Sequence, residues 1–237
     1  MSGSRRCSGL SIVMPAYNEE ANVDAAARAA SAAGEKFAES YEVVIVDDGS
    51  KDRTAECVRQ ASAENPRVRL IQLPQNRGFG AAVKTGLKGA VQPLVFYTDC
   101  DLQFDLDQIG DLLEKSDEAP VVIGYRTNRQ DHFGRKVNAW AWGRLQRVLF
   151  GLRVRDIDCG FKLFRREVLQ AMPMHSDGAF LSTEILLRCR AAGHEIAEVP
   201  VHHYPRKAGS STGAQWWVIR RAFRELWQLR RELRSGV

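Results

Sequence analysis

Residues 94–105 read LVFYTDCDLQFD, a short apolar run followed directly by acidic and amide side chains. An apolar segment of this length that ends in polar residues is typical of a buried strand leading into a loop. Similar runs precede it along the chain, and polar residues follow them too. They are SIVMP at 11–15, VVIV at 43–46 and VRLIQL at 68–73.

Helical segments separate these apolar runs. The sequence predicts helices over the alanine-rich residues 20–38, over residues 54–63 and over residues 80–90. Alternating strands and helices are typical of βαβ units in a mostly parallel sheet with helices on both faces. A chain of 237 residues buries one substantial core, so we expect one α/β domain with appendages.

Polar segments follow the predicted strands, and together they predict a single site. Ligands of parallel α/β sheets bind outside the carboxyl ends of the strands, where these loops converge. The segments are PAYNE at 15–19, DDGS at 47–50, NRG at 76–78 and DCDLQ at 99–103. Scattered surface polar residues have little reason to fall at the same end of every strand, so the pattern favours an active site over solvated loops.

The acids of the last segment indicate a metal site. A divalent cation would let Asp99 and Asp101 approach an anionic diphosphate that they would otherwise repel. With the amide oxygen of Gln103 they offer the hard oxygen ligands that suit Mg²⁺ or Mn²⁺. Two acids in this spacing can equally form a solvated turn, and it is their place directly after a strand that favours metal binding.

Asp47 and Asp48 allow two interpretations. Asp-Gly-Ser segments form turns and cap helices. In the first interpretation, Asp48 or Ser50 has this structural role and no other. The second strand of a nucleotide-binding sheet commonly places an acid against a ribose or a base, and Asp47 is well placed for this. The sequence contains neither GxGxxG nor GxxxxGK[ST], which argues against a dinucleotide oxidoreductase or a P-loop enzyme.

The order and spacing of these motifs resemble the inverting glycosyltransferases of family 2, which have the GT-A fold. The resemblance rests on PAYNEE at 15–20, VVIVDDGSKDRT at 43–54, NRGFGAAVKTGL at 76–87 and TDCDLQFD at 98–105. Later segments look like the subgroup that moves one sugar from a nucleotide donor to a polyprenyl phosphate, the dolichol-phosphate mannose and glucose synthases. These segments are GYR at 124–126, DIDCGFKLF at 156–164, EVP at 198–200 and YPR at 204–206.

The resemblance covers about residues 9–212 and implies roles for individual residues. It assigns nucleotide binding to Pro15, Tyr17, Glu19, Asp47, Asp48, Arg77, Lys84 and Asp99. Asp99, Asp101 and Gln103 would hold the metal and the donor diphosphate. Arg126 and Arg135 would face the acceptor phosphate, and a loop with Arg206 and Ser210 or Ser211 would close over the site. Cys100 and Phe104 depart from the residues usual in the family.

The nature of the acceptor determines the mechanism. A hydroxyl acceptor needs a general base, whereas a lipid phosphate is already an anion and attacks without one if cations hold it in line. Arginine suits that task, so Arg126, Arg135 and Arg206 are expected catalytic residues. Asp101 is a further expected catalytic residue, because it would hold the metal that takes up charge on the leaving diphosphate. Glu184 leaves the alternatives open, because an acid there could face the sugar, could orient an arginine, or could belong to a helix cap begun by Ser182 or Thr183.

The residues after 212 predict a basic amphipathic helix. Residues 201–237 carry a net charge of +6, and apolar residues recur on one face at 216, 219, 223, 226 and 233. Such a helix is suited to an anionic lipid surface, although it could also pack on the sheet. We therefore expect a catalytic domain at 1–212 and a membrane-surface helix at 213–237. The expected membrane contacts are Trp216, Trp217, Phe223 and Trp227.

Charge and cysteine content limit the remaining classes. The net charge of +5 is too small for a general nucleic-acid binder, and five scattered cysteines indicate reduced thiols. We expect no transmembrane segment and a location at the cytoplasmic face of the membrane, with either the tail or a membrane partner protein as the anchor. The alternatives are a family 2 transferase with a hydroxyl acceptor and a non-catalytic adaptor that binds nucleotide sugars or lipids.

Overall fold

The computed structural model describes residues 6–127 and 151–205, together with residues 144, 147, 224–227, 229 and 231–232. In the first half of the chain, strands and helices alternate as the apolar runs predict. The elements are β1 (Cys7–Ala16), α1 (Val23–Phe37), β2 (Ala38–Asp47), α2 (Thr54–Glu64), β3 (Val68–Gln72), α3 (Phe79–Gly89) and β4 (Leu94–Thr98).

The second half adds shorter helices and the remaining described strands. These are a 3₁₀ turn (Leu106–Gln108), α4 (Ile109–Lys115), β5 (Val121–Thr127), β6 (Phe161–Arg165), α5 (Arg166–Ala171), α6 (Leu181–Ala191) and β7 (Ile196–His202). Within the described residues the strands form one sheet in the order β3-β2-β1-β4-β6-β5-β7. All neighbouring pairs are parallel except those of β6, which is antiparallel to β4 and to β5. The expected mostly parallel α/β sheet is confirmed.

Alternate residues of the strands feed two hydrophobic clusters on opposite faces of the sheet. On β1, Ile12 and Met14 pack in the cluster that contains α1 residues such as Ala26, whereas Val13 packs in the cluster that contains Leu87 of α3. Helices therefore cover both faces of the sheet. Polar groups of the sheet can reach a ligand only at the ends of the strands.

Some predicted boundaries were wrong, and long-range contacts explain why. The first helix begins at Val23 rather than at residue 20, because the preceding residues form a turn in which Asn22 and Val23 donate backbone hydrogen bonds to the Glu19 carbonyl. The second strand begins at Ala38, well before residue 43, because β2 pairs with β1 along the whole length from Cys7 to Ala16.

Candidate functional site

The strand-end loops meet at one edge of the sheet. Ala16 ends β1 beside Asp47 at the end of β2, and β4 ends next to β1 at Thr98. The loops after β1 and β2 are bound to each other: Asn18 donates its N–H to the Ser50 hydroxyl, 2.9 Å, and accepts the Lys51 N–H at the same distance. Pro15 is buried in β1.

The next residues of the first loop are less buried. Tyr17 and Glu19 are partly exposed at its rim. The backbone N–H of Glu19 donates to the Thr54 hydroxyl, and its carboxylate accepts from the Asn22 side chain at 2.7 Å. Both expected nucleotide-binding side chains therefore lie at the edge shared by β1 and β2.

Asp47 is fully buried at the end of β2. Its Oδ1 accepts the backbone N–H of Ser50 at 3.0 Å. Its Oδ2 is buried and has no hydrogen-bond partner among the described residues. A buried carboxylate oxygen without a donor is costly, so this atom is a candidate acceptor for a donor group on a ligand.

Asp48, by contrast, is engaged by the protein. Its two oxygens accept the backbone N–H groups of Arg77, 2.8 Å, and Gly78, 2.9 Å. Burial raises the pKa of Asp48, and the two N–H groups oppose that shift. Gly78 has a φ of +105°, a conformation that favours glycine, and it is followed directly by α3. The structure thus makes Asp48 the anchor of the NRG loop, whereas the acceptor within the DDGS turn is Asp47.

Asp99 and Asp101 follow β4 on the same edge. The Tyr97 hydroxyl donates to Oδ1 of Asp99 at 3.1 Å. Burial and the charge of Asp101 raise the pKa of Asp99 to about 6. Gly160 lies so close to this carboxylate that a Cβ at position 160 would collide with it. The charges of Lys162 and Arg126 oppose this rise in pKa without cancelling it, and a divalent cation bound beside the two acids would further favour their ionised form.

The side chain of Gln103, the third expected metal ligand, is hydrogen-bonded to Tyr204. Its side-chain nitrogen donates to the Tyr204 carbonyl at 2.8 Å, and its backbone carbonyl accepts the Tyr204 N–H at the same distance. Its backbone N–H donates to Asp101 at 3.2 Å. Among the described residues, no three His, Cys, Asp or Glu side chains converge as metal ligands. The residues fit an ion held by Asp99 and Asp101 that takes its other ligands from a bound diphosphate or water.

Arg126 lies on β5 and is paired with Asp156. Nε and Nη2 of the arginine donate to the two carboxylate oxygens, at 2.6 and 2.8 Å. Both side chains are largely buried, 12% and 10% exposed. Burial alone would lower the pKa of Arg126, but the hydrogen bonds and charge of Asp156 outweigh it and raise the pKa.

Arg77 and Lys84, expected near the nucleotide, both approach Asp177. The ammonium of Lys84 lies 2.5 Å from one Asp177 oxygen, and Nη2 of Arg77 lies 3.8 Å from the other. The Ala81 N–H also donates to the Asp177 carbonyl, which joins the start of α3 to the segment before α6. The cation of the NRG loop, Arg77, and the cation of α3, Lys84, thus share the carboxylate of Asp177.

Glu184 lies within α6, which begins at Leu181 rather than after a Ser182 or Thr183 cap. Its carboxylate is almost fully buried and accepts the backbone N–H groups of His175 and Ser176, and it pairs with Arg188 at 2.9 Å. Of the alternatives for Glu184, a cap begun by Ser182 or Thr183 is wrong because the helix starts earlier, whereas the pairing with an arginine is present. These contacts give Glu184 the structural role of fixing the 175–176 segment to α6.

The remaining expected site residues divide into two groups. Arg135, Arg206, Ser210, Ser211, Trp216, Trp217 and Phe223 lie outside the described residues. In the described part of the C-terminal segment, Leu226 is fully buried in the core instead of facing lipid, a correction to the predicted apolar stripe. Arg224, Trp227 and Arg231 are exposed on the other side of this helix, Trp227 by 52%.

Sequence reasoning assigned no individual role to Tyr97, Asp156, Lys162 or Asp177. Asp156 and Lys162 fall in the quoted DIDCGFKLF motif, which was the available signal. Lys162 is buried on β6 opposite Tyr97, donates to the Cys159 carbonyl, and has a pKa lowered by burial. Asp177 gave no signal, because its importance depends on contacts with residues about a hundred positions away.

Comparison with known families gives a match over most of the chain. A family model described as "Glycosyl transferase family 2" matches residues 11–172. No helix among the described residues has the length and apolar character needed to cross a bilayer.

Comparison with solved structures confirms the expected GT-A fold. Glucosyl-3-phosphoglycerate synthase from Mycobacterium tuberculosis, in complex with UDP, is 19% identical with a TM-score of 0.73, covering 94% of this chain and 80% of that one. The same enzyme with Mn²⁺, UDP-glucose and phosphoglyceric acid is 18% identical with a TM-score of 0.65, covering 95% and 77%. Mannosyl-3-phosphoglycerate synthase from Rubrobacter xylanophilus is 18% identical with a TM-score of 0.71, covering 97% and 75%.

Proposed function

Because the chain belongs to glycosyl transferase family 2, we propose that it transfers one sugar from a nucleotide-sugar donor to a polyprenyl phosphate, with inversion at the anomeric carbon. One observation carries this proposal. Gly160 lies against the Asp99 carboxylate, and Asp156 on the same segment pairs with Arg126, whose charge acts on Asp99. Acids that can hold a cation and a guanidinium that can hold an anion would therefore share one site. Such a site can neutralise an anionic leaving group and an anionic acceptor together.

The loops of β1 and β2 form the proposed nucleotide-binding side. Oδ2 of Asp47 would accept a hydrogen bond from the ribose or the base, and Tyr17 and Glu19 border the same edge. Asp48 would act through the NRG loop that it anchors. Among the fold neighbours, the glucosyl-3-phosphoglycerate synthase structures contain UDP or UDP-glucose, which supports a nucleotide-sugar donor for this chain.

Asp99 and Asp101 would hold Mg²⁺ or Mn²⁺. A bound divalent ion supplies Lewis-acid stabilisation of the charge that develops on the departing diphosphate. The hydrogen bond from the Tyr97 hydroxyl would orient Asp99 for this purpose, and the absence of a Cβ at Gly160 leaves space for the carboxylate. Mn²⁺ in the neighbouring glucosyl-3-phosphoglycerate synthase supports a divalent ion here.

Arg126 would hold the acceptor phosphate, with Arg135 and Arg206 as further acceptor-binding residues. A phosphate oxygen forms the new bond to the anomeric carbon as the bond from that carbon to the diphosphate breaks, and the nucleoside diphosphate leaves. Positioning and charge stabilisation suffice, because the nucleophile is already ionised at neutral pH. Glu184, the acid that could have faced the sugar, has its oxygens engaged by His175, Ser176 and Arg188. This favours an acceptor that needs no base.

The exposed face of the C-terminal helix supports a lipid acceptor. Trp227 lies between Arg224 and Arg231 on the same side of the helix, an aromatic side chain flanked by two cations. Tryptophan favours the interface between water and lipid, and each arginine near an anionic surface contributes about 1 kcal/mol. We therefore propose that the protein works at the cytoplasmic membrane face, with residues 213–237 as the contact.

The test combines a panel of donors and acceptors. The full chain is incubated with Mn²⁺, with UDP- and GDP-sugars, and with either a short polyprenyl phosphate or 3-phosphoglycerate, and the products are identified by mass. A polyprenyl-phosphate sugar is the expected product. A product with 3-phosphoglycerate alone would favour the hydroxyl acceptor, and donor binding without any transfer would favour the adaptor.

Membrane contact has its own test. Trp227→Ser should reduce cosedimentation of the protein with phosphatidylglycerol vesicles, whereas Val91→Ser, which alters an exposed apolar residue next to the start of β4, should not. Equal sedimentation of the wild type and Trp227→Ser would contradict this contact.

A further inference from the structure

The pair formed by Arg126 and Asp156 has a geometry with consequences for anion binding. The carboxylate contacts the side of the guanidinium, because it accepts from Nε and Nη2. A guanidinium has five N–H groups in a rigid plane, and side-on pairing uses two of them. The end-on edge, formed by Nη1 and the second proton of Nη2, lies outside this pair.

Asp156 restrains Arg126 through hydrogen bonds to both its side chain and its backbone. In addition to the guanidinium, it accepts the backbone N–H of Arg126 at 3.2 Å. The side chain and the main chain of one β5 residue thus share a single carboxylate. This arrangement restrains rotation of the Arg126 side chain, so the orientation of its end-on edge is fixed.

The segment that carries Asp156 is itself fastened on both sides. The preceding Arg155 donates its backbone N–H to Glu198 of β7 at 2.7 Å, and its guanidinium lies 4.5 Å from the ring centre of Tyr125 on β5. On the other side, Ile157 is buried in the core. The carboxylate is therefore held against β5 independently of its pairing with Arg126.

From this geometry we infer that Asp156 is a positioning residue: it holds Arg126 side-on so that the end-on edge of the guanidinium binds a phosphate group of the acceptor. The inference rests on the proposed function and deepens it. It also reconciles a buried, paired arginine with anion binding, since the guanidinium can accept a second, end-on anion while side-on pairing continues.

A positioning role and a merely neutralising role predict opposite changes. Asp156→Asn removes a negative charge near the anion, so phosphate should bind more tightly if the only effect of Asp156 is to weaken the field of Arg126. If Asp156 positions the guanidinium, the same substitution frees the side chain and phosphate should bind more weakly. The sign of the change separates the two roles.

The experiment measures inorganic phosphate binding to the full chain by ³¹P line broadening. Arg126→Met should weaken binding at least tenfold and Asp156→Asn at least fivefold, and the double variant should bind no more weakly than Arg126→Met alone. Glu42→Gln is the matched control. Glu42 also pairs with an arginine, Arg69 at 2.9 Å, but it lies on β2 five residues before the end that forms the site. It should change phosphate affinity less than twofold.

Arg126→Lys provides a second variant in case Asp156→Asn does not fold. It keeps the charge but lacks the planar fork, and it should lose phosphate affinity nearly as far as Arg126→Met. Unchanged or tighter phosphate binding in Asp156→Asn, or a wild type that binds no phosphate, would overturn the inference. Phosphate binding that depends on Asp156 in a protein that transfers no sugar would overturn the proposed function alone.

Discussion

The Asp48 carboxylate and the Gly78 backbone are joined by a hydrogen bond of 2.9 Å across thirty positions of the chain. With the neighbouring bond to Arg77, it ties the end of β2 to the start of α3. The NRG loop, which leads into α3, belongs to the candidate site, so its position depends on a buried acid that faces the protein. Asp47, one residue earlier, has the converse arrangement, because one of its buried oxygens has no hydrogen-bond partner within the described part of the chain.

Asp48→Ala should lower the free energy of unfolding by about 2–4 kcal/mol, because it removes the two hydrogen bonds by which a buried carboxylate holds the backbone of Arg77 and Gly78. Urea denaturation measures the change. Asp105→Ala is the control: the Asp105 side chain also accepts a backbone N–H, that of Asp107, but it is exposed. That substitution should cost about 1 kcal/mol. An Asp48→Ala protein as stable as Asp105→Ala would contradict the anchoring role.

Asp47→Asn should separate stability from binding. The amide keeps an oxygen to accept from Ser50 and removes a buried charge whose second oxygen has no partner among the described residues. The free energy of unfolding without ligand should therefore stay within about 0.5 kcal/mol or increase. Affinity for the nucleoside diphosphate should fall at least tenfold, as measured by calorimetry. A large loss of stability with unchanged affinity would show that Asp47 serves the fold instead.

The strands and the strand-end loops could be predicted because their signals are local. LVFYT occupies β4 with the expected bounds, since a short apolar run bounded by polar residues has few other ways to be buried. From that run alone, Asp99 and Asp101 fall at the edge of the sheet where the structure has them.

The reversed direction of β6 could not be predicted in the same way. Its sequence, FKLFR, contains nothing that distinguishes antiparallel from parallel pairing with β4. The same limit applies to the partners of the site residues. Asp156 and Asp177 matter through Arg126 and Lys84, from which they are separated by 30 and 93 positions, and spacing along the chain does not encode such contacts.

Metal removal should abolish transfer. EDTA should stop product formation and Mn²⁺ or Mg²⁺ should restore it, if Asp99 and Asp101 hold the ion. Asp101→Asn should weaken Mn²⁺ binding at least tenfold in electron paramagnetic resonance titrations with nucleoside diphosphate present. The exposed Asp105→Asn should bind Mn²⁺ as the wild type does. Full activity in EDTA would rule out the proposed role of both acids.

Glu184 should make the stability of the protein depend on acidic pH. Burial alone would raise its pKa, but hydrogen bonds from Ser176, His175 and Arg188 outweigh burial and lower the pKa below the ordinary value of 4.5. A carboxyl with a lowered folded-state pKa stabilises the protein fully above its unfolded pKa, and this stabilisation is lost as pH falls through the folded pKa. Glu184→Gln should therefore cost about 2 kcal/mol at pH 7, since Arg188 keeps its pairing with Glu232.

Urea denaturation at pH 7, 5 and 3.5 tests this dependence. The difference between the wild type and Glu184→Gln should be the same at pH 7 and 5 and should shrink at pH 3.5, below the ordinary pKa of 4.5 at which the carboxyl of the unfolded chain takes up its proton. Glu167→Gln, which alters an exposed glutamate in the first turn of α5, should follow the wild type at all three values. A difference that grows as pH falls would mean that Glu184 has a raised pKa, as a general acid or base in the site would require.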